Sequence, residues 1–448
     1  MWLSNSAEWP KSKPVGLHTH EAKTAGLAMA GSVMAGSAKI VSEKHGDASV
    51  DVVVIGDGPA GSALALACTA AGLDTLLIGD DAAWGNPYGT WIDDLYAVDL
   101  LVGHDVLGAG PFDVVAWSDR RHDLGRAYGM LDNAALRAVL RAGVTHRCGR
   151  AAFVRTASGR HTVELESGDQ LSCRLVVDAA GWPAAFADRV TGSSLPAWQT
   201  AFGVVLPEPP AGDLGQPTVM DFRSPSEQHV AAEYSTFVYC LPVADGWLVE
   251  ETVLAARPAV DPQELVPRLA ARLGTDPDAL LSAAVRTEVV RIPMGGARPR
   301  RDQPIVAFGA AAGYVNPTSG YSVVHSMSMA TPVAAAIEAA LATSPDGEVA
   351  DSLSVWNAVW PVAHRRTRTL HDYGLDMLTR IDADQTRQFF GEFFDLPSDV
   401  WPKYMRSATP PAELSAVMAR LFTQAPWSTR RRLMAGNPMA FARLLRPS

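Results

Sequence analysis

Two glutamates stand side by side in the run Trp247-Leu248-Val249-Glu250-Glu251-Thr252-Val253-Leu254. A run so rich in aliphatic and β-branched residues reads as a strand, whose successive side chains point to opposite faces. Only one of the two carboxyls can therefore face a given cavity. Among these apolar neighbours that carboxyl would be desolvated. Burial raises a carboxyl pKa, so the group stays protonated near neutral pH and can act as an acid. The opposite reading is a surface pair on an edge strand, since glutamates are seldom buried.

A second constellation is suited to phosphate. Val52 to Ile55 read as a buried parallel strand that opens into Gly56-Asp57-Gly58-Pro59-Ala60-Gly61 and a small-residue helix. In such a G-x-G-x-x-G, Gly56 allows the tight turn, Gly58 lets backbone approach a pyrophosphate, and Gly61 lets helix and strand pack closely. The helix N-terminus adds free N–H groups and a positive dipole end. A second apolar run, Thr75 to Ile78, ends at Gly79-Asp80-Asp81, and Asp80 lies nineteen residues past Gly61, about where a carboxylate meets a ribose hydroxyl. The pattern predicts a bound dinucleotide.

Further elements must hold these groups in place. The spacing predicts a helix over 132–142, preceded by Arg126, then a hairpin from segments 152–154 and 161–165. A strand follows, running into the small-residue turn Asp178-Ala179-Ala180-Gly181. Residues 198–254 alternate as short strands of an inserted antiparallel sheet, and Pro304 to Gly309 returns to a buried strand. A glycine-rich turn and a long helix over 322–343, interrupted at Pro332, come next, and the remainder reads as helical. The expected segments are a flexible extension at 1–48, a dinucleotide domain at 49–195, a substrate sheet at 196–300, a return segment at 301–345 and helices at 346–448.

This order resembles the α/β two-domain FAD-binding fold of the glutathione-reductase and hydroxybenzoate-hydroxylase kind. On that resemblance, Asp178 to Gly181 lies beside a flavin and Gly309 to Gly320 is the last flavin-contacting loop. The wording of several motifs is narrower still. Leu248-Val249-Glu250-Glu251-Thr252, Ile292-Pro293-Met294-Gly295-Gly296 and Asn316-Pro317-Thr318-Ser319-Gly320-Tyr321 resemble, in order and spacing, the motifs of plant-type lycopene cyclases. Met220-Asp221-Phe222-Arg223, Trp360-Pro361, Gly374 to Leu378 and Phe389 to Leu396 extend the resemblance over about 51–440.

The resemblance implies acid-initiated cyclisation of an acyclic isoprenoid, lycopene to a β-ring carotenoid, without net redox change. It implies FAD in reduced form, with NAD(P)H as an external reductant, since no second G-x-G-x-x-G follows. Glu250 is then the acid or cation-stabilising group, Glu251 its hydrogen-bonded or solvent-side neighbour, and Asp221 an alternative proton source. The cofactor residues implied are Gly56, Gly58, Pro59, Ala60, Gly61, Asp80, Arg126, Asp178, Gly181, Gly309, Gly313, Pro317, Ser319, Gly320 and Tyr321. A flavin monooxygenase or other oxidoreductase, a cyclase of a different prenyl substrate, and a non-catalytic carrier are the alternatives.

Composition narrows the partners. A net charge of −10 argues against nucleic acid. Cys68, Cys148, Cys173 and Cys240 form no C-x-x-C pair and read as free buried thiols of a reducing, cytoplasmic setting. No run is long enough to span a bilayer. The arginines at 365, 366, 368 and 430–432 read as solvated faces; with Phe389, Phe390, Phe393, Phe394 and Trp401, the alternative is a monotopic membrane-docking surface. No metal site is expected: His18, His20 and His45 fall in the extension, and His325, His364 and His371 lack ligand spacing.

Overall fold

The structure, a computed structural model, describes residues 49–157, 159–190, 195–224, 234–345, 348–424, 427 and 430. The extension at 1–48, its three histidines and the arginines at 431 and 432 lie outside the described residues. The chain opens on β1 (Ser49–Ile55), α1 (Pro59–Ala70) and β2 (Thr75–Gly79), then passes through β3 (Gly89–Trp91), α2 (Ile92–Tyr96), β4 (Leu107–Trp117) and β5 (Arg121–Leu131). Next come α3 (Asn133–Leu140), β6 (Thr145–Cys148), β7 (Ala151–Ala157), β8 (Arg160–Leu165) and β9 (Gln170–Asp178). β10 (Ala197–Leu206), β11 (Thr218–Asp221), β12 (Thr236–Val243), β13 (Gly246–Ala256), α4 (Val266–Arg272), α5 (Pro277–Ala283) and β14 (Arg286–Met294) follow. The chain continues with β15 (Val306–Ala307), α6 (Val323–Thr343), α7 (Ser352–Val359), α8 (Val362–Leu378), α9 (Ala383–Phe394), α10 (Trp401–Met405) and α11 (Pro411–Gln424).

The first sheet has the order β6-β2-β1-β9-β8-β7, with β15 beside β9. Its β1, β2, β6, β9 and β15 run parallel. β1 shows why the sequence carries no alternation here. Val52 and Val54 pack in one core with α1 and α6 residues such as Leu64 and Met327, while Val53 and Ile55 pack with Ile78, Val163 and Val176 on the other face. A parallel strand buried on both faces needs apolar residues at every position. Asp132 caps α3 by accepting from the backbone N–H groups of Ala134 and Ala135.

The second sheet has the order β14-β10-β13-β12-β11-β4-β5-β3. It differs from the expected insertion in two ways. Three of its strands come from 89–131, a stretch expected to stay with the dinucleotide domain, and β11 pairs β4 in parallel, so the sheet is mixed. The cause is the β4–β5 ribbon, whose apolar residues Val114, Ala116, Leu124, Tyr128 and Met130 are buried only in the second sheet's core. β13 is central, with β10 and β12 on its flanks, so the edge-strand reading of the glutamates does not hold.

Three further expectations are corrected, and one alternative is set aside. α6 runs unbroken through Pro332. A helix-interior proline costs about 3 kcal/mol, but Pro332 sits on the exposed side while Met327, Met329, Ala330, Val333, Ile337 and Leu341 bury the opposite stripe. Phe389, Phe390, Phe393, Phe394 and Trp401 are buried and pack on one another with Tyr404 and Phe222, so they form core and cannot dock on a membrane. Arg368 is not a solvated face residue: it is buried, donating to the carbonyl of Gly313 and to Asp372. Cys148 is exposed while the other three thiols are buried. Among the described residues no helix is long and apolar enough to cross a membrane.

Candidate active site

Three loops meet at the C-terminal ends of β1, β9 and β15, the usual ligand crevice of a parallel α/β sheet. Gly56 has φ +106°, and a Cβ there would collide with the Ala179 carbonyl. A Cβ on Gly61 would collide with the carbonyl of Gly56. These two glycines serve close packing. Gly58 differs: a Cβ would meet nothing within 4 Å, so the turn is open on the side from which a ligand approaches. Pro59 begins α1, no side chain caps its N-terminus and its first turn carries no acid. Gly309, φ +65°, sits against Ala60, where a Cβ would come within 2.5 Å of the alanine methyl. An uncapped helix start beside open backbone fits a pyrophosphate.

Other residues expected near the cofactor have protein partners of their own. Asp178 is fully buried, and its carboxylate accepts from the backbone N–H groups of Ala180, Phe186 and Ala187, so it shapes the turn through Gly181. Asp80 is exposed one residue past β2 and pairs with Arg150 at 2.9 Å, which lowers its pKa. At the end of β2 itself, a side chain on Gly79 would strike the carboxylate of Asp57. Asp57 fills that space, bonded by Arg141 at 2.6 Å and by the Asp81 backbone N–H at 3.0 Å. Burial opposes its charge, yet bonds from His146 and Arg141 bring its pKa down to about 2. Asp57, Asp81 and His146 come close enough to suggest a cation site, but Arg137 and Arg141 already supply positive charge to the two aspartates. Arg126 lies on β5 in the second sheet, bonded to Asp93 and Asp94 with its guanidinium 4.6 Å from the Trp91 ring centre.

The loop from Gly309 to Tyr321 is tied at several points. The side-chain oxygen of Asn316 accepts from the Thr318 and Ser319 backbone N–H groups, an Asx turn that folds Pro317 to Ser319, and its amide donates to the Met405 carbonyl and Ser407 hydroxyl. Trp360 donates to the Ala312 carbonyl, and Arg368 anchors Gly313. Gly320, φ +74°, leads Tyr321 inward, where its hydroxyl lies 3.0 Å from that of Tyr128.

Beyond this loop lies a cavity of about 560 Å³, a size typical of small-molecule sites. Its walls include the second sheet, the loop residues Ala310, Val315 and Ser319 to Tyr321, the start of α6 and Met405 to Ala408; Gly56 to Gly61 are not among the lining residues. From β13 the lining side chains are Leu248, Glu250 and Thr252, at the two-residue spacing of one strand face. Glu250 is buried, its Oε1 has no hydrogen-bond partner, and burial followed by the neighbouring Glu288 pushes its carboxyl well above the ordinary range. Trp91, Tyr128, Phe237, Tyr239 and Tyr321 supply aromatic walls. Burial raises the three tyrosine hydroxyls far above their usual range, so they remain neutral, linked as Tyr239–Tyr128–Tyr321 at 3.2 and 3.0 Å.

Glu251 turns the other way. It is fully buried against α4, bound by Arg268 Nε at 2.7 Å and Arg272 Nε at 2.5 Å. It is neither solvent-side nor bonded to Glu250; the charge pair with α4 explains its burial. Asp221 likewise points away from the cavity, held by Arg223 at 3.0 and 2.6 Å. Sequence reasoning missed Glu288, Tyr128 and Tyr239. Alternation in Glu288-Val289-Val290-Arg291-Ile292 could have flagged the first; the tyrosines are brought in by strand pairing that no local pattern announces.

The chain is similar to known proteins. The family profile described as lycopene cyclase protein matches residues 51–431. The chain is 36% identical over 413 residues to a Deinococcus radiodurans protein described as an uncharacterized carotenoid cyclase, covering 90% of this chain and 95% of that one. It is 32% identical over 409 residues to lycopene beta cyclase of Synechococcus elongatus, with 86% and 95% covered. Against chloroplastic lycopene beta cyclase of Arabidopsis thaliana it is 30% identical over 419 residues, with 88% and 82% covered. Among solved structures, a geranylgeranyl bacteriochlorophyll reductase-like protein of Thermoplasma acidophilum gives a TM-score of 0.59 at 13% identity over 86% of this chain and 99% of that chain, a likeness of fold. With the profile matching most of its length and such relatives aligned across nearly all of it, the chain belongs to the lycopene cyclase protein family.

Proposed function

We propose that the protein cyclises an acyclic carotenoid, lycopene to a β-ring product, by protonation of a terminal double bond, with no net redox change. The observation that carries this reading is Glu250: a buried carboxyl without a partner for Oε1, facing a cavity walled by aromatic rings. A carboxyl kept neutral by burial is an acid at ordinary pH. Its proton passes to the alkene carbon, a second alkene closes the ring on the resulting cation, and loss of a ring proton ends the sequence. The faces of Trp91, Tyr128 and Tyr239 offer the cation about 0.5–2 kcal/mol each. Glu251 and Asp221, bound by arginines on other faces, hold structure and do not deliver the proton.

The open turn at Gly58 and the uncapped start of α1 fit FAD. Gly56, Gly58, Pro59, Ala60 and Gly61 would hold its pyrophosphate and Asp80 its ribose. The Gly309 to Tyr321 loop, with Gly313, Pro317, Ser319 and Gly320, would flank the ring system. Asp178 would act through the Gly181 turn that it shapes, and Arg126 through the Trp91 wall. Bound there in reduced form, with NAD(P)H as the outside reductant, FAD would supply negative charge against the developing cation. Lycopene-producing cells expressing this chain test the reading. A cyclic pigment of unchanged mass is expected; pigment carrying added oxygen would instead mark a monooxygenase.

A further inference from the structure

Glu288 shares a row of the second sheet with Glu250. β10 lies between β13 and β14, and its Gly203 pairs with Glu250 on one side and with Glu288 on the other. Both glutamates line the cavity, on strands about 10 Å apart at strand spacings of about 4.8 Å. The position between them has no side chain. A Cβ on Gly203 would lie 2.5 Å from Glu250 Cγ and 3.4 Å from its Cδ, so the Glu250 side chain lies down over the glycine, toward Glu288. Both groups are buried, and Glu250 Oε1 and Glu288 Oε2 each lack a hydrogen-bond partner.

Asp94, Arg406 and, on β14 itself, Arg291 also line the cavity, and Arg406 is paired with Asp94. Arg286 approaches Glu288 Oε2 at 3.6 Å and is tied to Asp245 at 2.7 Å. From β12, Tyr239 pairs in register with Glu250, its hydroxyl spent on Tyr128. Across the cavity, burial pushes the His325 pKa down to about 3, so it is neutral. Two carboxyls in one desolvated row do not ionise together; one proton stays with the pair.

We propose that Glu288 is a proton-positioning residue: its carboxylate, anchored by Arg286, holds the proton on Glu250 and restores it there after each ring closure. The proposal rests on Glu250 being the acid. The Glu250 O–H bond breaks as a C–H bond forms at the terminal alkene, and a second alkene closes a C–C bond onto the cation. A ring C–H bond then breaks, its electron pair becoming the ring double bond, and the proton returns to the carboxyl pair. Nothing is oxidised or reduced, and the pair ends with the proton it began with.

The test compares Glu288→Gln, Glu288→Asp, Arg286→Gln and Glu250→Gln in the full chain reconstituted with reduced FAD. Removing the anionic neighbour lowers the Glu250 pKa. The alkaline limb of the kcat–pH profile in Glu288→Gln should therefore move to lower pH by about one unit, a tenfold loss on that limb, with KM little changed. Glu288→Asp should keep the wild-type limb. Arg286→Gln removes a positive charge at the sheet edge and should move the limb to higher pH, which keeps the test decisive if Glu288→Gln fails to fold. The protonated-carboxyl band in the infrared should titrate with the same shifts in protein without substrate. Unmoved limbs and bands in Glu288→Gln or Arg286→Gln, while Glu250→Gln is inactive, would overturn the proposal. Full activity in Glu250→Gln would instead overturn the acid assignment beneath it.

Discussion

At the scale of residues, two neighbouring glutamates have opposite surroundings. Glu250 faces a cavity with an unbonded oxygen, whereas Glu251 is clamped by Arg268 and Arg272. Glu250→Gln keeps the shape but removes the transferable proton, so cyclisation should fall by at least about a hundredfold. Flavin binding, read by absorbance, should survive. The same variant has a stability signature. A carboxyl whose folded pKa is raised stabilises the fold below the ordinary carboxylate range and loses that contribution as pH rises toward its raised value. Wild type should therefore lose about 1.4 kcal/mol per pH unit over that window from this group. Glu250→Gln should not, so its melting temperature should overtake wild type from neutral to alkaline pH. Glu251→Ala is the reverse case: two arginines lose their buried partner, costing about 3–5 kcal/mol in denaturant unfolding. A variant that stays as stable as wild type would mean that the α4 pair carries no fold energy.

At the scale of elements, the dinucleotide unit was legible because its rules are local: four apolar β-branched residues, three spaced glycines and a small-residue helix specify β1, the turn and α1 within about twenty positions. The turn makes two glycines separable by experiment. Gly58→Val has space for its side chain in the fold, so the protein should fold with unchanged stability and fail to take up FAD on reconstitution. Gly61→Val drives a side chain into the Gly56 carbonyl, so it should lower the unfolding midpoint in protein free of flavin as well. Equal flavin uptake by Gly58→Val and wild type would show that the open turn is not the phosphate cradle. The second sheet was only half legible. Its 198–254 strands alternate visibly, but the β3–β5 contribution depends on where distant apolar faces find cover, which no window of sequence contains. For the same reason Glu288 and Tyr239 were missed: they reach Glu250 through register across β10 and β12, not through spacing in the chain. The Phe389 to Phe394 cluster left a membrane-docking alternative open because buried and membrane-facing aromatics share one helical spacing, and only the packing of α9 on the second sheet separates them.

At the scale of the whole molecule, the cavity sits where the second sheet, the Gly309–Tyr321 loop and α6 converge, so the turn proposed to take phosphate and the carboxyl proposed as acid lie in different parts of one fold. That division explains why substitutions at Gly58 and Glu250 should separate cofactor uptake from turnover. The carboxyl row is on the second sheet, outside the dinucleotide unit, so the proposed acid chemistry draws on residues that unit does not supply. In the proposed reaction a solvent-exchangeable protein proton, carried by Glu250, begins ring formation. The most direct measurement is mass spectrometry of the pigment formed from lycopene in D2O, without oxygen and with reduced FAD. The expected result is a cyclic product with the mass of lycopene in which one hydrogen is replaced by deuterium for each ring closed, and no such product from Glu250→Gln. A cyclic product without deuterium, or one made only with oxygen and carrying its mass, would contradict it.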